Sequence, residues 1–122
     1  VNPAIRKYSN VGIIISDQLF IAQHFGKVLE IKHLTAGEKK YDQIIYSNMI
    51  EACTNSLSEL NDILSDNTYQ MHDNERINYI DWIYTDMEEK VALTKRFTDE
   101  VLILSGQRAA EENDIEFLQN PE

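Results

Sequence analysis

The run Asp73–Asn113, DNERINYIDWIYTDMEEKVALTKRFTDEVLILSGQRAAEEN, decides the fold. It contains no proline, and Ile77, Ile80, Tyr84, Met87, Val91, Thr94, Thr98, Val101 and Ser105 recur at steps of three and four residues. That spacing places side chains on one side of an α-helix, and Ile83, Phe97, Leu102 and Leu104 widen the stripe. At 1.5 Å per residue, a helix of some forty residues is about 60 Å long, which outlasts a compact globule of this size. Either Gly106 breaks the rod or its end projects beyond its neighbours to meet a partner. Residues 114–122 then form a C-terminal tail, in which Ile115-Glu116-Phe117-Leu118 is an apolar patch in an acidic setting.

Working outward, proline occurs only at Pro3 and Pro121, so nothing between them forces a backbone break. The preceding segment predicts a second helix over about Glu38–Ser65, where Tyr41, Ile45, Met49, Ala52, Ser56, Leu60 and Ile63 form a seam flanked by Ile44, Cys53, Leu57 and Leu64. A first helix is predicted from about Ala4 to Leu34, with Asn2 as N-cap and Pro3 in the first turn. Ile14, Ile21, Phe25 and Val28 lie on one stripe of it, and Ile15, Leu19, Ala22 and Leu29 on an adjacent one, a face wide enough for two neighbours. Gly12 and Gly26 invite a kink or a close crossing. Gly37 suits a left-handed cap in the first turn, and Ser65-Asp66-Asn67-Thr68 suits the second, with Tyr69 and Met71 packing that corner. The reading is an all-α single domain: three long helices in an antiparallel, coiled-coil-like bundle, the third longest.

Length and composition agree with one domain. Hydrophobic residues are 43% and charged residues 26% of the 122, near the averages of globular proteins, which excludes disordered and collagen-like classes. The net charge of −10 argues against direct nucleic-acid binding, which needs clustered Lys and Arg. Residues 1–40 carry six basic and three acidic groups, whereas 41–70 have five acids and no base, and 71–122 thirteen acids against five bases. A mildly basic first helix beside acidic later ones favours an antiparallel bundle, weakly, because exposed charges are screened. No stretch approaches the ~20 apolar residues of a membrane span. The chain begins at Val1 rather than Met, for which removal of an upstream signal peptide is one explanation.

The residues offer little for catalysis. Cys53 alone excludes an internal disulfide and a multi-cysteine zinc site, and in its apolar register it reads as a small core residue. Glu30-Ile31-Lys32-His33 has the Glu-x-x-His spacing of di-iron bundles, but a second copy is missing, so His24, His33 and His72 read as surface or capping histidines. Glu88-Glu89 and Glu111-Glu112 are adjacent, about 100° apart on a helix, and read as solvated. No cofactor is expected, and no enzyme activity. Trp82 falls at the edge of the third helix's stripe, where a tryptophan either seals a corner or anchors a partner. Trp82, Arg108, Phe117 and Leu118 are the candidate partner contacts.

The segment His72-Asp73-Asn74-Glu75-Arg76-Ile77-Asn78-Tyr79-Ile80-Asp81, followed by Tyr84-Thr85-Asp86-Met87, resembles a helix opening in conjugal-transfer proteins of Bacteroides-type conjugative transposons. Gly37-Glu38-Lys39-Lys40-Tyr41-Asp42 is similar to a second helix opening of theirs. The resemblance covers roughly residues 37–114, and residues 1–36 match little. His72 stands where those proteins have Ser or Thr, so Asp73 is the alternative cap, which takes Glu75 out of a capping box. In that opening motif (Asp73, Glu75, Arg76, Asp81) the last two side chains are expected to face outward. The resemblance implies an exported, helical, minor-pilus-like accessory of a type IV secretion apparatus that works through contacts with other proteins of that apparatus, in the periplasm or cell envelope. The alternative is a cytosolic regulatory bundle that holds a partner helix or a small apolar ligand. Under either, homo-oligomers are expected, because three helices leave apolar surface uncovered.

Overall fold

In a computed structural model, which describes residues 8–65 and 71–119, the chain forms three helices: α1 (Ser9–Val28), α2 (Ala36–Leu64) and α3 (Asp73–Gln119). Among the described residues there is no strand, and no helix is long and apolar enough to cross a membrane. The path is up, down and up. At one end Tyr8 and Asn10 bond to Asp81, and at the other Ser105 and Arg108 reach the backbone just past α1, so α1 and α3 run parallel. α2 is antiparallel to both, its start joined to Arg108 and its end to Arg76.

The core follows most of the stripes read from the sequence, but Tyr41, Ile44 and Leu102, expected in or beside them, are exposed. Ile14, Ile21, Phe25 and Val28 of α1, Cys53, Leu60 and Ile63 of α2, and Ile80, Ile83 and Met87 of α3 are buried. Each such large side chain contributes about 1.5–3 kcal/mol on leaving water, which is what holds helices with so few loop contacts. Phe25 sits at the three-helix junction, its ring 5.4 Å from Phe97 and 5.9 Å from Tyr46. Thr94 is fully buried at a seam position because its hydroxyl donates to the Lys90 carbonyl at 2.8 Å, leaving no unmet polar group.

Several boundaries differ from expectation, each for a visible reason. Tyr8 is extended (φ −64°, ψ 123°), so α1 begins at Ser9; the expected N-cap Asn2 and first-turn Pro3 lie outside the described residues. α1 ends at Val28, six residues before Leu34, because the chain must turn to reach Thr35. Thr35 closes a capping box with Glu38: the Thr35 amide donates to Glu38 Oε1 at 2.9 Å, and the Glu38 amide to Thr35 Oγ1 at 3.1 Å. Gly37 therefore lies inside the first turn of α2, and the left-handed residue is His33 (φ 66°). Gly12 and Gly26 face open space, so neither marks a close crossing. The second α1 stripe is not a second interface, since Ile15 and Leu19 are exposed. Gly106 does not break α3, and residues 114–119, expected as a tail, continue the helix. The turn at 66–70, including Tyr69, lies outside the described residues.

Candidate functional site

The part of α3 that no other described helix covers carries the clearest unused surface. Ile80, Met87, Thr94 and Val101 are buried at seven-residue steps, the repeat of a helix seam, and the next positions in that series are Arg108 and Ile115. A companion series runs through Ile83, Phe97 and Leu104 to Leu118. Ile115 and Leu118 thus extend the seam that packs against α1 and α2, yet they are 54% and 78% exposed. Phe117, about 100° round the helix from Leu118, is 66% exposed. Every described residue from 110 onward is exposed. A core pattern that continues past the last intramolecular neighbour is suited to receive another helix.

Trp82 is also outside the core, at 59% exposure, and does not seal a corner. Its ring lies 5.9 Å from that of Tyr79, whose hydroxyl donates to Glu59 Oε2 at 3.1 Å. With Glu75 and Asn78 these two rings border an open hollow on α3, at the end of the molecule opposite Ile115 and Leu118.

Arg108 is not a free contact. Its guanidinium pairs with both Glu38 oxygens, Nη2 to Oε2 at 3.0 Å, and donates to the His33 carbonyl at 2.9 Å. Together with Ser105, which donates to the Lys32 carbonyl at 2.8 Å, it fixes the α1–α2 turn on α3. The pairing with Arg108, then the Thr35 amide, lowers the Glu38 pKa to about 2. His33 does not join Glu30 in a ligand pair: Glu30 lies past the end of α1, and His33 Nδ1 is 3.1 Å from Glu112 Oε2. No group of three or more His, Cys, Asp or Glu is arranged to hold a metal among the described residues. Cys53 is buried, and burial raises its pKa, so the thiolate is disfavoured.

Two residues of the α3 opening motif, Arg76 and Asp81, face inward, against expectation. Arg76 is only 7% exposed and donates to the carbonyls of Ile63 (2.7 Å), Ser65 (3.3 Å) and Met71 (3.4 Å). It thereby caps α2, whose last carbonyls lack helical partners. Asp81 accepts from the Tyr8 hydroxyl and, at 3.2 Å, from Asn10 Nδ2, tying the start of α1 to α3. Asp73 opens the helix, and Glu75 is exposed.

Two acids escaped the sequence reading. Asp17, half-buried between α1 and α3, has one oxygen enclosed with no donor facing it. Burial, and then the hydrogen bond and negative charge of Glu88, push its pKa up to about 7, against a smaller opposing effect of Lys95. Glu88 is therefore not simply solvated. Asp42 is almost wholly enclosed, and burial followed by the charge of Glu38 raises its pKa. Both stand on a helix face next to apolar seam residues, the one signal that could have marked them. No protein-family model, curated protein or solved structure matches the chain.

Proposed function

We propose that this chain is a non-enzymatic interaction subunit of a conjugative, type IV secretion-like transfer apparatus, exported to the cell envelope and acting through contacts with other proteins of that apparatus and with copies of itself. The observation that carries the interaction role is the uncovered continuation of the α3 seam at Ile115 and Leu118, with Phe117 beside it. The assignment to a transfer apparatus draws on the resemblance of residues 37–114. An account as a cytosolic regulatory module is the second reading, favoured by the exposed Ile15 and Leu19 stripe on α1, which would accept a partner helix.

Fractionation of cells expressing the native gene, combined with its deletion, separates the two. Recovery in the envelope and a fall in transfer frequency on deletion support the first reading. Recovery in the cytosol alone, with transfer unchanged, removes it.

A further inference from the structure

Asp42 is an acid that the fold does not use. It stands on α2, 4% exposed, without a hydrogen-bond or ion-pair partner among the described residues, and it lines a hollow of about 200 Å³ between α2 and α3. A carboxylate so little exposed and without a partner costs stability, which a counter-charge entering the hollow would offset. An anion is excluded because Glu38 and Glu100 border the same hollow. A bare divalent ion needs several converging oxygens, and Glu38 is already engaged by Arg108. The walls are apolar and aromatic, formed by Tyr41, Phe97, Val101 and Leu104. Rings beside a carboxylate suit an organic cation, which gains both an ion pair and cation–π attraction. The volume is below the roughly 300–1,000 Å³ of sites for drug-sized ligands, so the cation is small.

The geometry points to a binding site for a small alkylammonium, its charged head at the Asp42 carboxylate and its short apolar body against Tyr41, Phe97, Val101 and Leu104. The same chemistry is offered by a free amine and by the end of a lysine side chain. This site is independent of the transfer-apparatus reading and of the uncovered continuation of the α3 seam at Ile115 and Leu118. The raised pKa of Asp42 is consistent with it, because an incoming ammonium supplies the counter-charge that the fold withholds.

The test is an NMR titration of the full chain at constant ionic strength with butylammonium, with Nα-acetyl-lysine N-methylamide, and with 1-butanol as the uncharged control. Saturable shifts confined to Leu34–Asp42 and Phe97–Leu104 are expected with the cations and not with butanol. Asp42→Asn, which keeps the shape of the side chain, should weaken cation binding about tenfold or more. Glu100→Gln, on the exposed rim, should weaken it several-fold and leaves the fold intact whatever Asp42→Asn does. The ratio of the two cation affinities identifies the source, the lysine derivative binding more tightly if the site takes a protein side chain. No saturable shift with either cation, equal affinity in Asp42→Asn and Glu100→Gln as in the parent chain, or butanol binding as tightly as butylammonium would overturn the proposal.

Discussion

Both ends of α2 are tied to α3 by an arginine, and the two ties differ in kind. Arg76 is buried and bonds to backbone carbonyls at and just past the end of α2, so its loss takes a donor from the buried Ile63 carbonyl. Arg108 is about a third exposed and pairs with a carboxylate, so water and salt can replace it. The stripes of the bundle are similar at both ends; what distinguishes them is whether the polar groups closing each end could be solvated if the arginine were removed. The end closed by Arg76 is built to stay shut, and the end closed by Arg108 to hold a turn in place.

The largest effect expected from that difference is in Arg76→Ala, which should lower stability by about 3 kcal/mol in urea denaturation. Arg76→Lys should recover only part, because one ammonium cannot span the three carbonyls. A loss near zero would mean that the α2 end closes without the guanidinium.

Between the two ends lies Asp17, whose folded-state pKa is raised from the ordinary 3.8 to about 7. A raised carboxyl pKa stabilises the fold fully below the unfolded value, and that contribution is lost as pH rises through the folded value. Stability of the parent chain should therefore decline between about pH 4 and pH 7 from this group. Asp17→Asn should flatten the decline and raise stability at about pH 8 by roughly 1–2 kcal/mol, allowing for partial exposure. Thermal melts at a series of pH values decide it; the same slope in both proteins would show that Asp17 does not titrate in that range.

Arg108→Gln should be milder, with little change in the melting temperature at neutral pH and moderate salt. Its signature is local: faster amide exchange over Leu29–Leu34, whose carbonyls at Lys32 and His33 are held from α3. Glu38 runs opposite to Asp17. Its folded pKa is depressed to about 2, so its contribution is present above the ordinary value of about 4.5 and is lost as pH falls through about 2. Arg108→Gln should reduce that acid dependence, the Thr35 amide keeping part of it, and an unchanged acid profile would assign it elsewhere.

The smallest effect on stability is expected at the free end. Phe117→Ser with Leu118→Ser should leave urea denaturation unchanged within about 0.5 kcal/mol, since exposed positions without partners contribute little. A larger loss would mean that the last turns of α3 pack on the chain after all.

The bundle was legible because it depends on spacing: Ile14, Ile21, Phe25 and Val28 were grouped by three- and four-residue steps and are buried together. The turns were harder. Gly37 carried the local signal for a left-handed residue, but the capping demand of Thr35 and Glu38 drew it into the helix and left His33 to make the turn, supported by Arg108 from far along the chain. Polar contacts were the least legible. Arg76 and Asp81 have the look of solvated helix residues, and only the packing of α2 and Tyr8 against α3 turns them inward. Asp42 and Asp17 gave no signal beyond their position, because burial of a single acid depends on which helix lies opposite. Of the candidate contacts, Trp82, Phe117 and Leu118 are exposed, while Arg108 is occupied within the chain.

The central claim is that the α3 seam continues past its own bundle in order to meet another molecule, in the first instance a second copy. Light scattering of the full chain and of the Phe117→Ser, Leu118→Ser variant, over a range of concentrations and with melts of both, tests it most directly. The account predicts a dimer mass for the parent chain and a monomer mass for the equally stable variant; a monomer in both, or a dimer in both, would contradict it.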